Sequence, residues 1–156
     1  MRRRTWIGLI GWLALCYAVA AFGSRFEAGA WYDQLTKPAL TPPGWVFGVV
    51  WSVLYGLMAI AAWPVWKRRG FAGAPWALGA FLVQLALNAA WSWLFFGSHR
   101  IGLALLEILA LWSAIAITML LFWRHRGLAA LLLVPYLLWV TFATGLNFEF
   151  WRLNAA

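Results

Sequence analysis

Charge is scarce in this chain of 156 residues: only 10% are Asp, Glu, Lys or Arg, whereas 65% are hydrophobic. Soluble globular domains carry roughly 25% charged residues, so the composition excludes that class and predicts a chain embedded in a membrane. Cysteine occurs once, as Cys16 in an apolar run, which excludes a disulfide framework and a cysteine-based metal site. The two histidines, His99 and His125, lie beside arginines in predicted loops, so no pattern of axial haem ligands and no metal site is predicted.

Five stretches with few or no charged residues are long enough to cross a bilayer, because a spanning helix needs about 20 apolar residues. We therefore predict an all-α fold: a single domain over residues 1–156, built as an integral membrane bundle of five transmembrane helices. Three of the connections are short, so consecutive helices are expected to be antiparallel neighbours. The predicted helices are 5–24, 45–66, 74–97, 101–123 and 128–151.

The first apolar stretch has a second interpretation. A basic start, an apolar run and the small residues at positions 18–21 are also the pattern of a cleavable secretory signal peptide. Its removal would leave four helices and a long loop attached to nothing on its N-terminal side, so we favour a retained helix.

The basic residues alternate between the two ends of the predicted helices. Eight Lys and Arg, at positions 2–4, 67–69, 124 and 126, fall on one side of the bundle, and four fall on the other. Because Lys and Arg are enriched on the cytoplasmic side, we expect the N-terminus inside and the C-terminus outside. A helical bundle favours the inner membrane, with the outer membrane as the alternative. These helix ends account for the net charge of +8, so no nucleic-acid partner is expected.

One connection, residues 25–44, is much longer than the others, and loops of this length in compact bundles are either functional or disordered. Trp31, Tyr32 and three prolines favour order, since proline restricts the unfolded chain. Pro43 suits the first turn of the following helix, where its missing N–H has no cost. We predict that this segment, called the lid below, folds over the outer end of the bundle.

Tryptophan is abundant, with 14 in the chain. Those near helix ends are typical interfacial anchors, but others share helix faces with polar side chains at spacings of three and four residues. Because lipid offers no hydrogen-bond partner, polar side chains within a bilayer face the bundle or a cavity. The three inward faces contain Trp51, Tyr55 and Met58; Gln84, Asn88, Trp91 and Phe95; and Tyr136, Trp139, Ala143 and Asn147.

Two interpretations of these faces remain open. Asn and Gln often simply join membrane helices, for about 1 kcal/mol or less each, and aromatic stripes often serve packing. Alternatively, three convergent aromatic and amide faces under the lid form a pocket for a flat apolar molecule. Glu107, inside the fourth helix, is likewise either a functional carboxylate or one that is bonded locally. Without a second buried acid or base, hydrolytic chemistry has no support.

Four segments carry a resemblance to a known family: WYDQLTKPALTPPGWVFGVVWSVLY (31–55), QLALNAAWSWLFFG (84–97), PYLLWVTFATGLNF (135–148) and FWRLN (150–154). They resemble the TspO/MBR family of translocator proteins and tryptophan-rich sensory proteins, and the resemblance covers nearly the whole chain in the family's order and spacing. It implies a five-helix bundle in the lipid bilayer, often a homodimer, that binds porphyrins, sterols and benzodiazepine-type drugs between its helices and requires no cofactor.

Carried onto this sequence, the family's ligand pocket takes residues from the lid and from the three inward faces. One departure concerns sterols, because Phe148 stands where the family's sterol-recognition pattern has a tyrosine. That pattern is weak even when intact, so tight cholesterol binding is not expected. The ligand-binding residues that the resemblance implies are Trp31, Tyr32, Trp51, Tyr55, Asn88, Trp91, Phe95, Trp139, Ala143 and Asn147.

The resemblance implies a membrane receptor or sensor for porphyrins and related hydrophobic ligands, linked to their transport and to the regulation of tetrapyrrole metabolism or stress responses. Arg25 or Lys37, on the outer side, would meet the propionates of such a ligand. One alternative is a light-dependent porphyrin-degrading enzyme, with Trp51 and Trp139 as candidate catalytic residues. Another is a structural or partner-binding membrane protein without a ligand.

Overall fold

The structure is a computed structural model that describes residues 2–26 and 28–155, with the backbone alone for residues 2–5. Glu27, part of the predicted lid, lies outside the described residues. These described residues are mostly helical and contain no strand, as the all-α prediction requires. In residues 2–26 and 28–155, a π-helical turn, Trp93–Gly97, follows the fourth of seven α-helices: α1 (Arg2–Gly23), α2 (Ala30–Gln34), α3 (Gly44–Gly73), α4 (Pro75–Ser92), α5 (Ile101–His125), α6 (Gly127–Leu131) and α7 (Val134–Asn154).

Within the described part of the chain, five helical stretches are long and apolar enough to cross a membrane, which confirms the predicted five-helix bundle. Each coincides with one of the predicted helices to within a few residues, except at the end of the second. The chain is therefore an integral, multi-pass membrane protein. The spans are Trp6–Gly23, Gly44–Gly73, Pro75–Gly97, Ile101–His125 and Gly127–Asn154.

The second predicted helix, 45–66, is longer in the structure because α3 continues through the basic residues 67–69. The prediction ended this helix at the first charge. In the structure the Lys67 ammonium lies 5.2 Å from the centroid of the Trp63 ring, so the lysine stem follows the helix surface while the charge stays near the interface. The helical geometry breaks at Gly70, whose φ of 62° is accessible to glycine at little cost.

The fifth predicted helix, 128–151, is two helices in the structure. The short α6 ends at Leu131 and α7 begins at Val134. Pro135 lies in the first turn of α7, where its missing N–H leaves no intrahelical bond unmade and its fixed φ suits a helix start. The proline therefore starts a new helix instead of continuing the old one.

The helices pack so that one end of the bundle is filled and the other is open. α1 packs along α3 and contacts α4, α4 packs on α5, and α5 packs on α7. At the end that carries the basic clusters, the fully buried rings of Phe81 and Phe122 stack with centroids 5.9 Å apart. The opposite end, below the lid, contains the cavity described in the next subsection.

Tryptophans at the helix ends mostly lie on the surface. Trp6, Trp76 and Trp123 are exposed, as expected of interfacial anchors. Trp66 is the exception, because it packs against the core and against Gly8 of α1, where a Cβ atom would overlap the indole. Trp66 thus joins α1 to α3, and its place at the membrane interface stays a prediction.

Candidate functional site: a cavity beneath the lid

A cavity of about 1090 Å³ lies between α1, α3, α4 and α7 and beneath the lid. Small-molecule pockets occupy roughly 300–1000 Å³, so this cavity has room for a ligand of drug size or above. Each of the four helices contributes at least one aromatic ring to its wall: Tyr17, Trp51, Trp91 and Trp139 are examples. The shape and lining therefore suit a large apolar molecule with flat faces.

The end of the cavity farthest from the lid contains a continuous hydrogen-bonded network of four buried side chains. The Tyr55 hydroxyl donates to Asn88 Oδ1 at 2.9 Å, and Asn88 Nδ2 donates to the Tyr136 hydroxyl at 2.7 Å. Tyr136 in turn donates to Gln84 Oε1 at 2.8 Å. Because each hydroxyl and each amide has a defined donor or acceptor role, the network holds these groups in one orientation. Tyr55 and Asn88 also line the cavity.

The spacing of the polar residues explains why α4 builds this network. Gln84 and Asn88 are four residues apart, hence on one face of the helix, and both are at least 98% buried. Tyr136 reaches them from α7 and is fully buried. The polar side chains that the sequence predicted to face inward are thus buried, and they form hydrogen bonds with one another.

Trp91 is held on the cavity wall by a second polar link. Its indole N–H donates to Asn147 Oδ1 at 3.0 Å, and Asn147 Nδ2 donates to the Ile101 carbonyl oxygen at 3.1 Å. Phe95, one turn further along, stacks on Trp91 with centroids 5.2 Å apart. Trp91 therefore lines the cavity with a ring whose position is fixed by Asn147 and Phe95.

Trp139 lies on the opposite wall and is held differently. Its indole N–H is buried and has no hydrogen-bond partner among the described residues. The ring contacts Phe47 edge-on with centroids 5.7 Å apart and Phe142 at 5.4 Å. Trp139 is thus positioned by apolar packing without a hydrogen bond to the described residues, which distinguishes it from Trp91.

The lid contains the short helix α2, and several of its residues line the cavity. The Trp31 ring stacks on His99 with centroids 4.1 Å apart and an interplanar angle of 11°. Tyr32 packs on Phe96 and Phe150 with centroid distances of 5.7 and 5.5 Å. Aromatic contacts from the lid therefore reach both the π-helical turn and the end of α7.

The side chain of Asn154, at the end of α7, also holds the lid by hydrogen bonds to the lid backbone. Asn154 Oδ1 accepts a hydrogen bond from the Thr36 N–H at 2.9 Å, while Asn154 Nδ2 donates to the Thr36 carbonyl oxygen at 3.0 Å. A second acceptor of the same amide, the Phe150 carbonyl oxygen at 2.8 Å, fixes its rotamer. One side-chain amide thus pairs with the lid as a neighbouring strand would.

The lid contributes two charged side chains to the wall of the cavity. Lys37 and Asp33 both line it, with Lys37 Nζ 3.6 Å from Asp33 Oδ1 and 5.0 Å from the Tyr32 ring centroid. Burial, and then the neighbouring Asp33 carboxylate, raise the pKa of the Tyr32 phenol. Tyr32 is consequently neutral at physiological pH and packs as an aromatic ring.

The structure brings seven of the ten predicted ligand-binding residues to the cavity wall. The other three, Trp31, Phe95 and Asn147, lie behind the wall, where they hold the lid, Trp91 and the start of α5. Contact of any of the ten with a ligand stays a prediction. The seven at the wall are Tyr32, Trp51, Tyr55, Asn88, Trp91, Trp139 and Ala143.

Sequence reasoning missed the contribution of α1 and of a stripe of small residues on α3. Tyr17 and Ala21, four residues apart, place α1 on the cavity wall. Gly44, Gly48 and Ser52 follow the same spacing on α3 and also line the cavity. Small residues at every fourth position leave space beside a helix, and that spacing was the available signal.

Glu107 lies outside this site, and the described residues offer no metal-binding cluster. Both carboxylate oxygens of Glu107 are buried and have no hydrogen-bond partner among the described residues, and Glu107 does not line the cavity. The described residues hold no cluster of three or more His, Cys, Asp or Glu side chains that suits a metal ion. The cavity is lined by aromatic rings, the Asn88 amide and the charged pair of Asp33 and Lys37.

Comparison with known proteins places this architecture in a family. A sequence profile of the TspO/MBR family matches residues 12–152, which include all five spans in whole or in part. The chain is 44% identical to "Protein CrtK" of Rhodobacter capsulatus over 143 residues, 89% of this chain and 88% of that protein.

Two further relatives cover even more of the chain. "Tryptophan-rich sensory protein" of Cereibacter sphaeroides is 42% identical over 149 residues, 96% of this chain and 92% of that protein. The human "Translocator protein" is 41% identical over 155 residues, 96% of this chain and 91% of that protein. Since the profile and the relatives span nearly the whole sequence, the chain belongs to the TspO/MBR family.

Proposed function

We propose that the chain is a membrane receptor that binds a tetrapyrrole of the porphyrin type in the cavity beneath the lid. The observation that carries this proposal is the cavity of about 1090 Å³ with Trp51, Trp91 and Trp139 on its wall. All three rings are only half-buried, so their free faces are available for stacking, the geometry in which aromatic systems attract each other. The names of the relatives, a sensory protein and a translocator protein, support sensing or movement of the ligand.

The polar groups of the cavity supply orientation. Lys37 is the one cation among the described lining residues. Its pairing with Asp33 is weak, since the two side chains are 40% and 73% exposed, so its ammonium is free to bind a ligand carboxylate. Arg25, the other cation that the sequence suggested, does not line the cavity. A porphyrin would thus place its propionates at the lid and its apolar edge near the Tyr55 end.

The proposed orientation and oligomeric state of the receptor rest on its charge distribution and on small residues at its surface. The Lys and Arg bias supports a cytoplasmic N-terminus, an external lid and the inner membrane. A homodimer is supported by Ala86 and Ala90 on α4, which are not buried within the single chain and are spaced as small residues at close helix contacts are. Binding at the external face and a change passed to a partner copy would make this a sensor of tetrapyrrole supply.

Equilibrium titration with protoporphyrin tests the proposal. The purified chain in phosphatidylcholine nanodiscs should bind it saturably, with quenched tryptophan emission and a shifted Soret band. Stacking on one aromatic side chain contributes about 1–3 kcal/mol, so Trp51→Ala should raise Kd by roughly 5- to 150-fold. Trp76→Ala is the matched control, because Trp76 is 81% exposed and does not line the cavity. Absence of saturable binding by the wild type would overturn the receptor proposal.

A comparison of two ligands tests the role of Lys37. Lys37→Gln should weaken binding of protoporphyrin by several-fold, since an exposed ion pair contributes about 1 kcal/mol at most. The same variant should bind the uncharged dimethyl ester of protoporphyrin as tightly as the wild type does. Lys67→Gln, at the opposite end of α3, is the control and should change neither affinity. Equal loss for the two ligands would show that Lys37 acts through lid packing and not through its charge.

A further inference from the structure

A second, smaller hollow lies on the lipid-facing side of Trp139. This groove has a volume of about 500 Å³ and runs between α3 and α7. Its α3 wall includes Val49 and Val53, and its α7 wall includes Leu138 and Phe142. Three of these four side chains are more than half exposed, Val49 at 56%, Val53 at 56% and Leu138 at 64%. In a membrane such a surface is in contact with lipid acyl chains.

Of the residues that the structure describes, Trp139 alone lines both the groove and the cavity beneath the lid. Its two aromatic neighbours lie on opposite sides of it: Phe47 lines the cavity and Phe142 lines the groove. The indole is therefore the partition between a ligand-sized cavity and the hydrocarbon interior of the bilayer.

The seam around this partition is loosely built. α3 has its close helix neighbours in α1, α4 and α6, whereas α7 packs on α5. The groove is otherwise lined by hydrocarbon side chains, and the Trp139 N–H has no hydrogen-bond partner among the described residues. Rotation of the indole therefore breaks no hydrogen bond that the ring makes with these residues and disturbs only its packing against apolar side chains.

Displacement of the lid breaks polar contacts that rotation of the indole leaves intact. Among them are the paired hydrogen bonds between Asn154 and Thr36, and the Trp31 stack on His99 is lost as well. The route through the lid also leads to water, in which a porphyrin-class ligand is poorly soluble, whereas the groove leads to the phase in which such a ligand accumulates.

We propose that the ligand reaches the cavity from the bilayer through the seam between α3 and α7, and that the Trp139 indole is the gate of this portal. The proposal rests on the proposed function, because the substance that passes is the flat, apolar ligand of the cavity. The gate opens when the indole turns toward Phe142 or Phe47 and closes again by the same packing. Trp139 thus has a second role beside its place on the cavity wall.

Filling the groove without touching the cavity tests the portal. Val53→Trp and Leu138→Trp add a ring to the two walls of the seam at exposed positions outside the cavity lining. Val83→Trp is the matched control, since Val83 is 55% exposed on α4 and lines neither hollow. Protein in phosphatidylcholine nanodiscs is mixed rapidly with protoporphyrin, and the Soret band, which does not depend on the number of tryptophans, reports association and dissociation.

The portal predicts that Val53→Trp and Leu138→Trp slow association and dissociation together by about tenfold, a barrier increase of about 1.4 kcal/mol, while Kd stays within about twofold. Val83→Trp should match the wild type. Wild-type rates in both groove variants with normal equilibrium binding would overturn the portal alone. So would an equal slowing by Val83→Trp, or a large acceleration by Asn154→Ala, because the latter would indicate passage through the lid. Absence of equilibrium binding in the wild type would overturn the receptor proposal and the portal with it.

Discussion

Removal of the Tyr136 hydroxyl tests the buried polar network most sharply. In the structure this hydroxyl accepts from Asn88 Nδ2 at 2.7 Å and donates to Gln84 Oε1 at 2.8 Å. Tyr136→Phe keeps the ring and strands one donor and one acceptor in a site without exposed surface. Interhelical hydrogen bonds in membranes contribute about 0.6 kcal/mol on average and up to about 1.7. Loss of two should therefore lower the free energy of unfolding by about 1–3 kcal/mol.

A second tyrosine provides the control. The Tyr17 hydroxyl makes one hydrogen bond, to the Ser52 carbonyl oxygen at 2.9 Å, and the residue is 43% exposed. Tyr17→Phe should therefore cost less than about 1 kcal/mol. Both variants can be compared with the wild type by titration with SDS in mixed micelles, with helix content as the signal.

The network also predicts non-additivity. Gln84→Leu removes the acceptor that Tyr136→Phe would leave unpaired, so the double variant should lose less stability than the sum of the single losses. If Tyr136→Phe is no less stable than Tyr17→Phe, or if the double variant is strictly additive, the four side chains do not act as one network and the reasoning is refuted.

Two further predictions concern the lid and the helix contacts. Asn154→Ala should speed amide exchange at Thr36 and leave exchange in the middle of α5 unchanged, because it removes the pair of hydrogen bonds to the lid backbone; unchanged exchange at Thr36 would contradict the clamp. Gly8→Ala and Gly11→Ala should have opposite effects on the free energy of unfolding. Gly11→Ala should stabilise the protein, because alanine favours a helix over glycine by about 1 kcal/mol and a Cβ at Gly11 meets nothing within 4 Å. Gly8→Ala should destabilise it, because a Cβ at Gly8 overlaps Trp66 and overpacking costs about 1–3 kcal/mol. Stabilisation by both substitutions would show that α1 does not pack closely on α3.

The five spans were predictable because lipid imposes the same demand on every segment that crosses it. Backbone polar groups must be satisfied within the helix and side chains must be apolar, and both requirements are visible locally. The end of α3 was not predictable in this way, since the helix continues through the basic residues 67–69, where the Lys67 ammonium lies over the Trp63 ring. The break between α6 and α7 had a local signal in Pro135, which the hydropathy pattern concealed.

For the candidate site, the sequence predicted which helix faces point inward but not which side chains pair with one another. The spacing of Gln84 and Asn88 showed that α4 has a polar inward face, but Tyr55 and Tyr136, their partners, lie far away in sequence. Trp31 was predicted to contact a ligand, yet in the structure it stacks on His99. No sequence pattern links Trp31 to this loop histidine. Pairings of this kind depend on how helices are arranged in three dimensions, which residue spacing within one helix does not encode.

The location of bound protoporphyrin is the most direct test of the account. An experimentally determined structure of the chain in complex with protoporphyrin should show the macrocycle between α3, α4 and α7, against Trp51 and Trp139, with its carboxylates toward Lys37. Density for the macrocycle on the outer surface of the bundle, with the cavity beneath the lid left unfilled, would contradict the central claim that this cavity is the ligand-binding site.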